Sequence, residues 1–249
     1  MNRIILFFRK HAYLITGMLA AAVILSACKK DNDDTPPPPA AGLMTFNLAP
    51  DQNSVTVTIS GNSLTPAPLA FTSYTGHYQN IFTGQRPVES FDFPNSTPLA
   101  TVNYNFEQNK SYSLFVVGAH GNYSNLVSVD SVGDAEVENG KAYVRYINAI
   151  PDSSAIPNVT ISSGGTPVVN QASPYATIST FKSVTPGTVA VAISNGGNIN
   201  AGRDITLEGG KAYTVLLVGL PDVTEESGKV QIRFIENGTV TAEKKENGN

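Results

Sequence analysis

Glu208-Gly209-Gly210-Lys211-Ala212-Tyr213-Thr214-Val215-Leu216-Leu217-Val218-Gly219 decides the fold, because the chain carries a matching passage, Glu107-Gln108-Asn109-Lys110-Ser111-Tyr112-Ser113-Leu114-Phe115-Val116-Val117-Gly118, at an offset of 219 − 118 = 101. In both, a polar turn opens a run of aliphatic and aromatic residues that a glycine ends. Runs of this kind between turn residues read as β-strands. Val215–Val218 contains no polar residue, so it reads as a central strand buried on both faces. Val230-Gln231-Ile232-Arg233-Phe234 alternates instead, as a strand with one wet face does.

Other anchors keep the offset. Asn47-Leu48-Ala49-Pro50-Asp51 faces Asn148-Ala149-Ile150-Pro151-Asp152, with 152 − 51 = 101. Tyr74 is matched with Tyr175 at 101, while Tyr78, Ile81 and Gly84 match Phe181, Val184 and Gly187 at 103. Agreement at so many positions makes the chain a pair of homologous copies. Val55–Ser60 and Ala142–Ile147 add strands, and no long window after residue 28 carries a helical stripe. The fold class expected is all-β: two tandem antiparallel β-sandwich (Ig-like) domains of about seven strands each, over residues 42–132 and 133–240, with a polar tail at 241–249. Copies this small bury modest cores, and an interface between them is expected because the connection Asp130–Asn139 is short. Glu138-Asn139-Gly140-Lys141, Glu208-Gly209-Gly210-Lys211 and Glu236-Asn237-Gly238-Thr239 read as two-residue type I′ hairpin turns, which need positive φ at both central residues. Gln108-Asn109 fits that turn less well.

The beginning of the chain reads as an export signal. Arg3, Arg9, Lys10 and His11 are followed by the apolar run Leu14–Ala27 and by Leu25-Ser26-Ala27-Cys28, which resembles a bacterial lipobox cut before the cysteine. Residues 1–27 are thus the expected signal peptide, and Cys28 the expected lipidation site. The apolar run, 14 residues from Leu14 to Ala27, falls short of a membrane span. Residues 28–41 hold Lys29-Lys30-Asp31-Asn32-Asp33-Asp34 and Pro36–Pro39, a solvated extended linker. At ~3.1 Å per residue it reaches some 40 Å. The lysines and clustered aspartates resemble the export tag of surface-exposed lipoproteins of Bacteroidota, so an outer-membrane, surface-exposed location is expected.

Removing residues 1–27 leaves 249 − 27 = 222 residues with 13 basic and 20 acidic side chains, net −7. That balance argues against nucleic acid as a partner. Cys28 is the only cysteine, so once it is acylated no disulfide, thiolate metal site or cysteine chemistry remains.

Tyr146-Ile147-Asn148-Ala149-Ile150-Pro151-Asp152 with Val159–Ser162, and Leu207–Thr214 with Gly219, resemble the bacterial domain-of-unknown-function family 4397. The likeness spans residues 141–236 and, more weakly, 42–132. It implies an Ig-like or related sandwich of envelope proteins and brings no catalytic residues, cofactor or metal.

Candidate sites are few. The run Phe71–Phe82 is rich in aromatics and invites sugar stacking, but most of its rings recur in the second copy and read as core. His77 and Phe82 lack counterparts and are the candidate ligand-binding residues. Asp51 and Asp152 read as Asx-turn carboxylates rather than calcium ligands. Asp130, Asp134, Glu136 and Glu138 read as a solvated acidic connector, with a weak cation site as the alternative, and Asp130-Ser131-Val132 fits a loose O-glycosylation pattern. No catalytic motif is present. The expected role is a non-enzymatic surface binding or adhesion module, anchored to the membrane through Cys28, with an unknown protein or glycan partner. The alternatives are a carbohydrate-binding accessory of a polysaccharide-uptake system and a structural envelope component.

Overall fold

In the computed structural model, residues 38–133, 137–151 and 155–240 are described. The expected signal peptide, Cys28, Asp134, Glu136, Asp152 and residues 241–249 lie outside them.

Four sheets stack in order. The first copy places β3 (Asn62–Ser63), β2 (Ser54–Ile59), β6 (Gly84–Asp92) and β7 (Pro98–Phe106) in an outer sheet, with β4 (Leu69–Ala70) on β2. Its inner sheet runs β5 (Gln79–Phe82), β1 (Ala40–Asn47), β8 (Ser111–Ala119), β9 (Asn122–Val129). The second copy repeats the inner sheet as β13 (Lys182–Val184), β10 (Ala142–Asn148), β16 (Lys211–Val218), β17 (Gln231–Thr239). Its outer sheet is β12 (Thr166–Ala172), β11 (Asn158–Ser163), β14 (Gly187–Ser194), β15 (Asn200–Leu207).

Each sandwich closes over its own core, Leu43, Val55, Val57, Leu114 and Val116 in one, Val144, Val159, Ile161, Val215 and Leu217 in the other. Alternate residues of the inner strands face the opposite way. Met44, Phe46, Phe115 and Val117 pack there against Ile147, Ala149, Leu216 and Val218 in one further apolar cluster. The two inner sheets are therefore the middle layers of a single four-sheet block. This is the physical reason for the unbroken run Val215–Val218: Val215 and Leu217 fill their own sandwich while Leu216 and Val218 fill the seam.

Three expectations change. The inner sheets are not purely antiparallel, since β1 pairs parallel with β8 and β10 pairs parallel with β16. Parallel neighbours need a crossover, and the whole outer sheet supplies it. Among the described residues the strands number nine and eight rather than about seven, because β3, β4 and β5 in the first copy and β13 in the second are short pieces. The turns are not type I′ hairpins. Asn109, Gly140 and Gly210 have positive φ (62°, 75° and 75°), whereas their preceding residues do not, and the 108–109 and 209–210 turns carry the chain from outer to inner sheet. Asn237-Gly238 makes no turn; it lies inside β17, where Gly238 at φ 140° accommodates a register shift opposite Ala212–Tyr213.

The repeated Glu-x-x-Lys-x-Tyr passage has a local cause. The Tyr112 hydroxyl accepts the Glu107 N–H at 2.9 Å and the Tyr213 hydroxyl accepts the Glu208 N–H at 3.1 Å, so a buried ring five residues on closes each turn. Glu138-Asn139-Gly140-Lys141-Ala142-Tyr143 is a third instance, with the Glu138 N–H donated to the Tyr143 hydroxyl at 2.5 Å.

Candidate functional site

Asn47 and Asn148 close the far ends of β1 and β10. Each is buried and accepts a backbone N–H two residues on, from Ala49 at 3.0 Å and from Ile150 at 3.1 Å. Their amides donate to Leu69 O at 3.0 Å and Ser173 O at 2.8 Å. In the first copy the Asx geometry thus belongs to Asn47, which opens the motif, and not to Asp51, which ends it. Asp51 instead accepts from the His120 N–H at 2.7 Å and the Tyr123 hydroxyl at 2.8 Å, bracing the β8–β9 turn. Burial first, then the Asp51 contact, pushes the Tyr123 phenol above its ordinary pKa.

The opposite end holds a buried polar hub that joins the copies. Arg145, 1% exposed, leaves β10 and forms an ion pair with Asp130, which is 3% exposed. The guanidinium also donates to Thr214 Oγ1 at 2.9 Å, Ser113 Oγ at 3.0 Å, Ser128 Oγ at 3.2 Å and Val129 O at 3.2 Å. It lies 4.6 Å over the Phe181 ring. The second oxygen of Asp130 accepts from the Tyr78 and Ser113 hydroxyls at 2.6 Å each and from the Asn237 amide at 3.2 Å. Burial, reinforced by the Asp130 charge, holds the Tyr78 phenol protonated well beyond the usual tyrosine range. Asp130 is therefore no solvated connector residue. A lone buried carboxylate would be costly, and this one is fully paired.

Outside the hub a cleft of about 250 Å³ is lined by Tyr78, Ser111, Val132, Phe181, Ala212 and Val240, among others. Asp130, Tyr78 and Asn237 face it already paired with one another. The hub is built to hold, with charge cancelled by charge, rather than to attack a substrate. Ser131 is exposed at its rim and Glu138 is exposed beside it, accepting the Ser183 hydroxyl at 3.0 Å. Among the described residues, no three His, Cys, Asp or Glu side chains are placed to hold a metal ion.

The block has a base and a far end. Pro39 and Ala40 enter at the base, where Phe82 sits opposite Ala40 in the β1–β5 pairing. Arg145 and Asp130 bring the two bases together. The β6–β7 tip at Phe93–Ser96, the 195–198 tip and Ile156 lie at the other end, beside Asn47, Asn148 and the starts of β2 and β11. Among the described residues three large apolar side chains stand out in solvent: Phe82 at 61%, Phe93 at 50% and Ile156 at 57%.

His77 and Phe82 are both exposed, and the structure does not bring them together. His77 lies in a bend two residues ahead of the edge strand β5, and Phe82 ends that strand. Arg86 covers one face of the Phe82 ring at 5.9 Å. Among the neighbouring aromatics, Tyr74 bridges Phe46 just as Ile178 bridges Ile147, so its counterpart is Ile178 and not Tyr175. Thr72 and Ala176 share φ 66° and fix that local offset at 176 − 72 = 104. The first copy then carries one residue more, in the segment Gly76–His77–Tyr78. Cys28 and Leu25-Ser26-Ala27 lie outside the described residues. Sequence reasoning missed the hub, although Arg145 is the one charge in the run Ala142–Ile147.

With the geometry in place, comparison with known proteins adds one family. The model for "Domain of unknown function (DUF4397)" matches residues 41–156 and again 142–247. No curated protein matches the chain. Solved structures that align with it include the tip fimbrial protein Mfa3 of Porphyromonas gingivalis, at 9% identity over 80% of this chain and 100% of that one, TM-score 0.27. A candidate cell adhesion protein of Bacteroides eggerthii aligns at 11% identity over 81% and 96%, TM-score 0.25. Another, of Parabacteroides distasonis, aligns at 9% over 80% and 99%, TM-score 0.23. Overlaps this loose carry neither a fold nor a role across.

Proposed function

The chain belongs to the DUF4397 family in two tandem copies, and from that premise we propose that it is a lipid-tethered, non-enzymatic binding module displayed at a bacterial outer-membrane surface. The observation that carries this reading is the polarity of the block. The described chain enters at the base, at Pro39, and Cys28 precedes it in the sequence, while two of the three exposed large apolar side chains, Phe93 and Ile156, stand at the far end among the loop tips. A tether at one end and apolar loops at the other is the arrangement a presenting module needs. The far end is offered to a protein partner, for which exposed aromatic and aliphatic anchors are the usual contacts.

The test is a binding screen of the mature chain against glycans and against envelope and host-matrix proteins. Saturable binding to a protein, lost in Phe93→Ser/Ile156→Ser and kept in His77→Ala/Phe82→Ala, is expected. Glycan binding lost in the His77→Ala/Phe82→Ala variant points to the carbohydrate accessory instead. Absence of saturable binding to any of them leaves a structural envelope component. Protease shaving of intact cells checks display, and a protected protein defeats it.

A further inference from the structure

We propose that the block is built to bear tension between its tether and its far end, an inference that rests on the tethered reading above. The first strand after the linker is β1, and it is buried without a break from Leu43 to Asn47. It pairs with β8 in parallel through six residue pairs, from Gly42–Ser111 to Asn47–Val116, and with β5 through four, from Ala40–Phe82 to Leu43–Gln79. Leu43 faces the first sandwich core, and Met44 and Phe46 face the seam between copies. A pull on Pro39 away from the base, resisted by a partner at the far end, runs along β1.

In that direction its hydrogen-bonded pairs are loaded together, in shear. They cannot open one at a time, and each buried side chain must slide past its neighbours before any contact is lost. A force that peeled β1 sideways from its base would meet only the first pair. The parallel β1–β8 pairing is what aligns the load this way, because both strands start at the base and end at the far side. A load applied through the second copy must also shear the seam, where Arg145 and Asp130 lock the bases of β10 and β9.

The chain's single cysteine supplies the handle. The mature chain, made without its leader so that the Cys28 thiol is free, is pulled from Cys28 against a second cysteine. Asn95→Cys puts that handle at the exposed far tip. Gln108→Cys puts it at the exposed base, beside Asn109, whose N–H donates to Ala40 O at 3.0 Å. The first geometry shears β1 and the second unzips it. Forced unfolding reads the barrier along the loaded direction, and we expect a rupture force at least about twofold higher for the shear pair.

Equal urea midpoints of the two variants assign the difference to direction. An Asn198→Cys handle at the far tip of the second copy carries the same expectation if Asn95→Cys perturbs its loop. Equal rupture forces in both geometries, or a weaker shear pair, overturn the proposal. That failure would leave the tether standing. Conversely, native material that retains residues 1–27 would remove the tether without changing the pulling result.

Discussion

At the seam the two copies present the same positions with different chemistry. Where the first copy has Met44 the second has Arg145, with 145 − 44 = 101; Ser113 becomes Thr214, and Tyr78 becomes Phe181. Asn237 takes the part of Asp130, since Thr214 Oγ1 donates to Asn237 Oδ1 at 2.6 Å as Ser113 Oγ does to Asp130 Oδ2. A symmetric seam would bury two cations, two anions or none. Divergence has left one of each, so the copies complement one another. Duplication explains the shape of this interface, and only the later inequality of its halves explains its charge.

The largest effect should come from erasing that inequality on one side. Arg145→Met, which installs the first copy's own residue, strands the buried Asp130 carboxylate and should cost about 3–5 kcal/mol. Urea denaturation with an unchanged slope measures it. A loss below about 1 kcal/mol would mean that the hub is not dry.

The asparagines make a comparison where the copies agree. Asn47→Ala and Asn148→Ala each orphan buried backbone groups and should cost about 1–3 kcal/mol, similar in the two copies. Strongly unequal losses would show that the shared motif no longer does the same work twice.

Asp130→Asn combined with Arg145→Met makes both halves of the hub neutral. Because desolvation offsets much of a buried pair's attraction, the double variant should return to within about 1 kcal/mol of the parent. A double loss equal to the sum of the singles would break the picture of one coupled site.

The smallest effect concerns pH. The Tyr78 pKa is raised in the folded chain, so its contribution to stability is full below the unfolded value near about 10 and is lost as pH climbs past it. Between about pH 9 and 11 the urea midpoint should fall more steeply for the parent than for Tyr78→Phe. Identical slopes would place that phenol in water.

Strand content and the duplication were legible because alternation and turn residues are local signals. Burial of Val215–Val218 on both faces was legible too, though not what covers its second face, since a neighbouring copy and a second sheet leave the same apolar pattern. The parallel pairings were hidden because nothing in β1 or β8 alone records which strand lies beside it. Asn237-Gly238 misled for a physical reason: positive φ serves a bulge inside a strand as well as a turn between strands. Asp130 looked like a linker acid because its partners come from three separate strands, β8, β10 and β17, and from Tyr78 just ahead of β5. The one-residue difference around His77 shifted the match of Tyr74.

The seam uses the same face of each copy, so the contact is self-complementary and satisfied once two have met. A third unit appended in series would find neither inner face vacant. Growth of such a chain by further duplication should therefore proceed in twos, each pair sealed before the next begins, like dominoes rather than beads.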